Sequence, residues 1–323
     1  MHLGPESCKV SFIIPVLNGE KFLLGCLQHI KSEMKNTDEI IIVDNGSSDN
    51  TVAIATDFGG IKLIESHGTT VSASRNKGAS LASGDLLAFI DCDCRICPGW
   101  RDAAINILKE NDSVVATGSH YDLPEKSTWV ERAWLYPRKK RPSEAEYIVS
   151  GNLIVKKSAF ESIGGFDEEL ATDEDTDIGR RLREKGFIII QAPQVRSVHL
   201  GNAKTLGQFL RKEYWHATGI TQKIGWKYVD RPLLMTFAFI LFMLTAAILV
   251  PPVVTGKISP WYLVGSIFVV PVVTALYRIY RYDSARQFVP QLFLYFVFYC
   301  IRSVIFIRYL IMGGSGKLQK GDN

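Results

Sequence analysis

The segment Phe89-Ile90-Asp91-Cys92-Asp93-Cys94 sets two carboxylates one residue apart at the end of an apolar run. Acids at that spacing can both approach one hard cation, with Asp93 as a ligand and Asp91 reaching the ion or a ribose. Mg²⁺ and Mn²⁺ prefer such oxygen donors and usually share them with a diphosphate. A solvated acidic turn has the same composition. A zinc site built from Cys92, Cys94 and Cys97 would lack a fourth nearby ligand and a second cysteine pair.

Other positions invite chemistry. Asp44 ends the run Ile41-Ile42-Val43 and opens Asn45-Gly46-Ser47-Ser48-Asp49. That composition suits a tight turn feeding a helix capped by Ser47 or Ser48. Asp44 could also accept the N–H of a nucleobase. Arg75, within Ser72 to Gly78, offers planar bidentate donors for phosphate, although a lone arginine equally suits a solvated helix face. Asp173, Glu174, Asp175 and Asp177 are four acids in five residues, which repel unless a cation, helix caps or a reaction uses them. A carboxylate there could serve as general base toward an acceptor hydroxyl. His199 closes the run Val195 to Val198, either as a half-buried core residue or as a ligand of metal or phosphate.

The elements that must position these groups follow from hydrophobic patterning. Near-continuous apolar runs at 10–16, 39–43, 61–64, 86–90 and 113–116 alternate with helical stretches at 20–34, 48–58, 70–82 and 99–110. This is the pattern of a βαβ sheet buried on both faces, whose ligands sit beyond the carboxyl ends of the strands. Residues 121–146 read as a loop over the sheet or on the acceptor side. A strand at 147–155, helices at 157–163 and 176–185, and strands at 187–191 and 194–198 complete this part.

The C-terminal third differs. Pro232 to Val254 and Ile258 to Tyr277 are free of charge and long enough to span a bilayer. Phe288 to Met312 is a third candidate, but it carries Arg302 and Arg308, each costing roughly 2.5–3.5 kcal/mol at mid-bilayer, so an interfacial helix is the alternative. The expected division is 1–225 and 226–323, with spans at about 232–254, 258–277 and 288–312. The net charge of +4 is also split: residues from Pro232 onward carry eight basic and two acidic groups, or +6, leaving −2 before them. That asymmetry argues against a nucleic-acid partner and for a membrane. Lys223, Lys227 and Arg231 before the first span, and Arg278, Arg281 and Arg286 after the second, place the N-terminal part in the cytoplasm by the positive-inside rule. The six scattered cysteines and the absence of an export signal agree with a reducing compartment.

In this order, SFIIPVLNGE, IIVDNGSSDNT, ASRNKGASLASGDLLAFIDCD, SGNLIVKKSAFESIGGFDE, TDEDTDIGRRLREKG and VHLG resemble the family 2 glycosyltransferases over roughly Val10 to Gly219. The resemblance implies an α/β GT-A domain, a mostly parallel sheet flanked by helices, followed here by two or three transmembrane helices. It further implies inverting transfer from a nucleotide-diphospho-sugar with a divalent metal. Asp44 would hold the nucleobase with Pro15 and Asn18 lining the pocket, Arg75 the nucleotide, Asp91 the ribose or metal, and Asp93 the metal. Glu174-Asp175 matches the catalytic acids, with Asp175 as base. His199 matches a metal or diphosphate contact, and Gly151 and Asn152 the sugar pocket.

Cys94 stands where many relatives have a third acid. Gln208 and Arg211 lack the tryptophan that completes the chain-holding motif of processive synthases, because Lys212 takes its place. A single sugar passed to a lipid-linked or cell-surface glycan at the inner membrane is therefore expected. A polyprenyl phosphate acceptor is the alternative, and a non-catalytic scaffold, a lipid carrier and a nucleotidyltransferase are the rivals.

Overall fold

The computed structural model describes residues 8–135, 141–170, 172–222, 231–282 and 285–311. The chain forms two compact units, one of Met1–Glu125 with Tyr136–Asn202, the other of Lys126–Leu135 with Ala203–Asn323. The expected break at 225/226 lies outside the described residues.

In the first unit strands and helices alternate: β1 (Val10–Val16), α1 (Leu23–Glu33), β2 (Glu39–Asp44), α2 (Thr51–Phe58), β3 (Ile61–Glu65), α3 (Val71–Ser80) and β4 (Leu86–Ile90). Next come β5 (Cys94–Ile96), α4 (Trp100–Glu110) and β6 (Val114–Gly118). The chain then enters the second unit for α5 (Trp129–Trp134) and returns for β7 (Ser143–Glu144), β8 (Asn152–Lys156), α6 (Lys157–Ser162), α7 (Glu174–Glu184), β9 (Ile188–Gln191) and β10 (Ser197–His199). The main sheet has the order β3-β2-β1-β4-β8-β6-β9-β7, and β5 pairs with β10 beside it. β1 to β4 run parallel, whereas β8 is antiparallel to both β4 and β6. The alternation in sequence thus gives the mostly parallel, helix-flanked sheet it predicts.

Each strand of the uninterrupted apolar runs feeds two cores. Phe12 and Ile14 pack with Leu27, Ile30, Trp100 and Leu108 on one face, while Ile13, Val43 and Phe89 pack with Phe160, Phe166 and Ile178 on the other. β1 and β4 are neighbours, and the chain winds outward from β1 through β2 to β3, so the crossover lies between them. The loops after β1, β2 and β4 share the edge where such sheets bind ligands.

Within this unit Arg101 makes a buried bidentate pair with Asp38, at 2.7 and 3.0 Å. Breaking such a pair leaves one uncompensated charge. Asp38→Ala is expected to cost about 3–5 kcal/mol, read as a lower unfolding midpoint.

Local expectations shift in several places, among them the last strand, which spans Ser197–His199 rather than 194–198. Residues 121–146 hold α5 and β7 as well as loop, because Thr128 and Glu131 form a reciprocal capping box that starts a helix. The strand expected from 147 begins at Asn152. Neither Ser47 nor Ser48 caps α2: the Ser47 hydroxyl donates to Asp44, and Asp49 accepts from the Thr51 N–H instead.

The second unit adds α8 (Leu206–Gln222), α9 (Arg231–Val254), α10 (Pro260–Tyr282), a 3₁₀ turn (Ala285–Gln287) and α11 (Phe288–Ile311). α9, α10 and α11 are each long and apolar enough to cross a membrane. Trp134 of α5 packs against Phe209, Tyr295 and Phe298, with ring centroids 4.8–5.4 Å apart. Arg278, buried near the end of α10, donates to the carbonyls of Trp134 and Leu135 at 2.7 and 2.6 Å. A cation bonded to the last carbonyls of a helix suits its negative end.

Candidate active site

The loop after β4 carries Asp91 and Asp93, and β5 starts directly behind it. β10 pairs antiparallel with β5 in the register His199↔Cys94, which draws His199 to within 3.3 Å of the Asp93 carboxylate, Nε2 to Oδ1. Asn202 donates its amide to the His199 carbonyl at 2.7 Å, so its Oδ1 faces His199 Nδ1 at 2.9 Å and accepts that proton. The Nε2 lone pair is thereby left toward the carboxylates, the tautomer a metal ligand needs. Tyr121 stacks on the His199 ring, centroids 4.5 Å apart, and donates to Asp91 Oδ2 at 3.3 Å.

Asp91, Asp93, Cys94 and His199 bring ligand atoms within 4.8 Å of one another. Burial, reinforced by Asp91 and Asp93, pushes the Cys94 thiol well above its ordinary value, and the oxygen and nitrogen donors of the group are two carboxylates and an imidazole. That set fits a hard divalent ion better than zinc. Cys92 and Cys97 are not in the group. Two glycines admit the carboxylates: a Cβ on Gly151 would overlap Asp91 Oδ2 and the Tyr121 hydroxyl, and one on Gly201 would overlap Asp93 Oδ2.

Arg75 of α3 is buried and bridges the two acidic groups. Nη2 donates to Asp91 Oδ1 at 2.7 Å and Nη1 to Glu174 Oε1 at 2.8 Å, with the guanidinium 5.5 Å from the Phe166 ring centroid. Burial alone would raise the Asp91 carboxyl, but the Arg75 guanidinium holds it below its usual value. Glu174 and Asp175 lie in the first turn of α7, which begins two residues earlier than expected. Asp173 precedes them in a left-handed conformation, φ 63°, and makes no capping bond to that helix, so capping does not explain its place. Burial, then Glu174 and Asp173, push the Asp175 carboxyl up to about 7.

The platform beneath α7 is built from the Gly164-Gly165-Phe166 turn. Phe166 packs on Phe89 and Phe160 at 5.1 and 5.5 Å, and Asn76 holds its backbone through bonds of 2.8 and 2.9 Å. At the other end of the site, Asn18, φ 51°, joins the loops after β1 and β2: its N–H donates to Ser47 Oγ and its Oδ1 accepts from the Ser48 N–H. Among described residues Asn18 and Asp173 are the non-glycine residues with positive φ, the first in the loop after β1 and the second directly before α7. Asp44 is buried, and its carboxylate accepts from the N–H groups of Gly46 and Ser47 and from the Ser47 hydroxyl. A carboxylate has about four acceptor positions, which leaves one. Pro15 is buried opposite Val43 in the same strands.

Asn152 departs from expectation. It is fully buried, accepts from the Trp100 indole at 2.8 Å and donates to the Ser119 and Val195 carbonyls at 3.0 Å. Its amide is spent on the wall under Gly151. Tyr121, Asn202 and Gly201 were not singled out by their chemistry in the sequence. For Gly201 the signal was present in VHLG, four residues that the β5–β10 pairing folds over Asp93.

The profile described as Glycosyl transferase family 2 matches residues 11–164, and that of Glycosyl transferase family group 2 matches residues 90–307. The chain belongs to glycosyl transferase family 2. As a family 2 enzyme it has relatives in archaea and bacteria. It is 28% identical over 254 residues to the glycosyltransferase AglE of Haloferax volcanii, covering 75% of this chain and 82% of that one. It is 26% identical over 179 residues to the glucosyl-dolichyl phosphate glucuronosyltransferase of the same organism, covering 49% of this chain and 56% of that one. The mannosyltransferase PcManGT from Pyrobaculum calidifontis, solved with GDP-Man and Mn²⁺, matches in structure with a TM-score of 0.62 at 17% identity, over 91% of this chain and 86% of that one. The family 2 domain here therefore has the GT-A fold.

Proposed function

We propose that this family 2 enzyme is membrane-anchored and transfers one sugar, with inversion, from a nucleotide-diphospho-sugar to a hydroxyl of a lipid-linked or cell-surface glycan. The observation that carries this reading is the pairing of a hard-cation donor set with the acidic first turn of α7, Arg75 bonding Asp91 on one side and Glu174, the neighbour of Asp175, on the other. The loops around Pro15, Asn18 and Asp44 receive the nucleobase, the last free acceptor position of Asp44 taking one N–H. Gly151 keeps the sugar side of Asp91 open, and Asn152 fixes the wall behind it.

Asp91, Asp93 and His199 would hold a divalent cation, Mg²⁺ or Mn²⁺, which would supply charge stabilisation to a departing diphosphate. Arg75 keeps Asp91 ionised and correctly turned, and ties it to Glu174. Asp175 removes the acceptor proton as the oxygen attacks the anomeric carbon from the far face. The relative named glucosyl-dolichyl phosphate glucuronosyltransferase supports a lipid-linked acceptor. It also keeps a polyprenyl phosphate acceptor in play, and such an anion has no proton to give up. The charges of Arg231, Arg281 and Arg286 support a cytoplasmic catalytic unit, while Lys223 and Lys227 lie outside the described residues.

The test uses membranes containing the full chain, a panel of labelled nucleotide sugars, and lipid extraction. One donor is expected to label the lipid or glycan fraction. EDTA is expected to abolish labelling, and added Mn²⁺ or Mg²⁺ to restore it. Absence of label from every donor would refute the transferase reading for this chain.

A further inference from the structure

α11 has the length and apolarity of a membrane span, yet its ring contacts with α9 do not follow a span's path. Phe237 and Phe239 of α9 are two residues apart, so they advance about 3 Å along that helix and project from nearly opposite flanks. Phe237 meets Phe306 at 4.7 Å, while Phe239 meets Phe296 and Tyr299 at 6.1 and 5.6 Å. From Phe296 to Phe306 α11 advances about 15 Å. Helices packed side by side advance together. One that covers 15 Å of itself over 3 Å of its neighbour, touching both flanks, crosses it steeply. The crossing falls six residues into α9, about 9 Å from its start.

Two further observations agree. Along α11 the apolar residues Val289, Phe293, Val304, Ile307 and Ile311 are exposed on one stripe, while Leu294, Tyr295, Phe298, Tyr299, Ile305 and Phe306 are buried. The polar parts also fall where an interface would want them. α8 buries Phe209, Glu213 and Ala217 and exposes Arg211, Lys212, Tyr214 and Trp215. Tyr214 accepts a bond from Arg308 at 3.4 Å, and Glu213 faces the charge of Arg302. Aromatic and cationic side chains together suit the headgroup layer better than water or hydrocarbon.

We infer that α11 lies in the plane of the membrane at the headgroup–acyl boundary of the leaflet where α9 begins, bound to anionic lipid there, so that the chain crosses the bilayer only twice. Its apolar stripe faces the acyl chains, and Arg302 and Arg308 stay at lipid-phosphate depth rather than mid-bilayer. The charge distribution follows the same logic. With two crossings Lys257 is the one lysine or arginine between the spans, whereas a third crossing would carry Lys317 and Lys320 to the far side against the positive-inside rule.

The test is the side of the C-terminus. Full-length protein with a small epitope tag at either end would be placed in sealed right-side-out and inside-out membrane vesicles and exposed to protease. Both tags are expected to be cut in the same vesicles, with a third tag beside Lys257 cut only in the opposite ones. Cutting of the two terminal tags in opposite vesicles would overturn the inference, and so would a mixed pattern. As a measure independent of tagging, Ile307→Trp fluorescence should be quenched more by lipids brominated near the headgroup than by those brominated near the chain ends. Stronger quenching by the deep label, or by neither, would overturn the placement.

Discussion

Asp175→Asn is expected to lower the rate of transfer to a hydroxyl acceptor by about 10²–10⁴-fold, with nucleotide-sugar affinity unchanged. Asparagine keeps the shape and the bond from the Thr176 N–H, 2.8 Å in the parent, but cannot take a proton. The pH profile of the parent enzyme carries the same signature. Asp175 titrates near 7 because burial and its acidic neighbours oppose its charge, so the ionised base is scarce below that pH. Activity should therefore fall about tenfold per unit as the solution is acidified below 7 and level off above it. Stability should move the other way. A carboxyl held above its ordinary value makes the folded state bind a proton the unfolded chain releases, so stability declines as pH rises from about 4 to about 7. At pH 8 the asparagine variant should melt at a higher temperature than the parent. Full activity of Asp175→Asn on a hydroxyl acceptor would remove Asp175 as the base. A small effect confined to a phosphate acceptor would instead identify that acceptor class.

Gly201→Ala is expected to cost about 10- to 100-fold in metal affinity and in activity, with the unfolding midpoint little changed. The added Cβ would overlap Asp93 Oδ2 and meets no other structural atom as closely. The carboxylate can yield by turning, so the fold survives, but turning moves a ligand. A titration of activity against Mn²⁺ should show a rightward shift rather than a uniform loss. Unchanged metal dependence would mean that Asp93 is not a ligand. Gly151→Ala makes the parallel case at Asp91, except that the new methyl also strikes the Tyr121 hydroxyl.

Much of the architecture was visible in the sequence because buried parallel strands write themselves as unbroken runs: Val10–Val16 and Leu86–Ile90 have the same limits in both readings. Their ends then named the positions of Asn18, Asp44 and Asp91. What stayed hidden was made by pairing across the chain. β5 and β10 have three residues each, too few for a period, yet their register is what brings His199 to Asp93. Arg75 is expected at the nucleotide, and a sequence shows a charge without its partners, which here include the carboxylates of Asp91 and Glu174. Asn152 stood at a position expected of a sugar contact, and only the burial of Trp100 and the Val195 carbonyl reveals why an amide is needed there.

The excursion of residues 126–135 into the second unit bears on how the protein can be divided. A truncation ending at Asn202 would look like a complete soluble enzyme by its motifs, retaining every acid of the site. It would also retain α5 without the partners of that helix, baring Val130, Ala133 and Trp134, which otherwise pack with Phe209, Leu294 and Phe298. Such a fragment carries an apolar surface in the middle of its chain, where no choice of endpoint removes it, and would aggregate on expression. Deleting 126–135 along with the C-terminal helices, and bridging the gap with a short polar linker, is the division the topology permits.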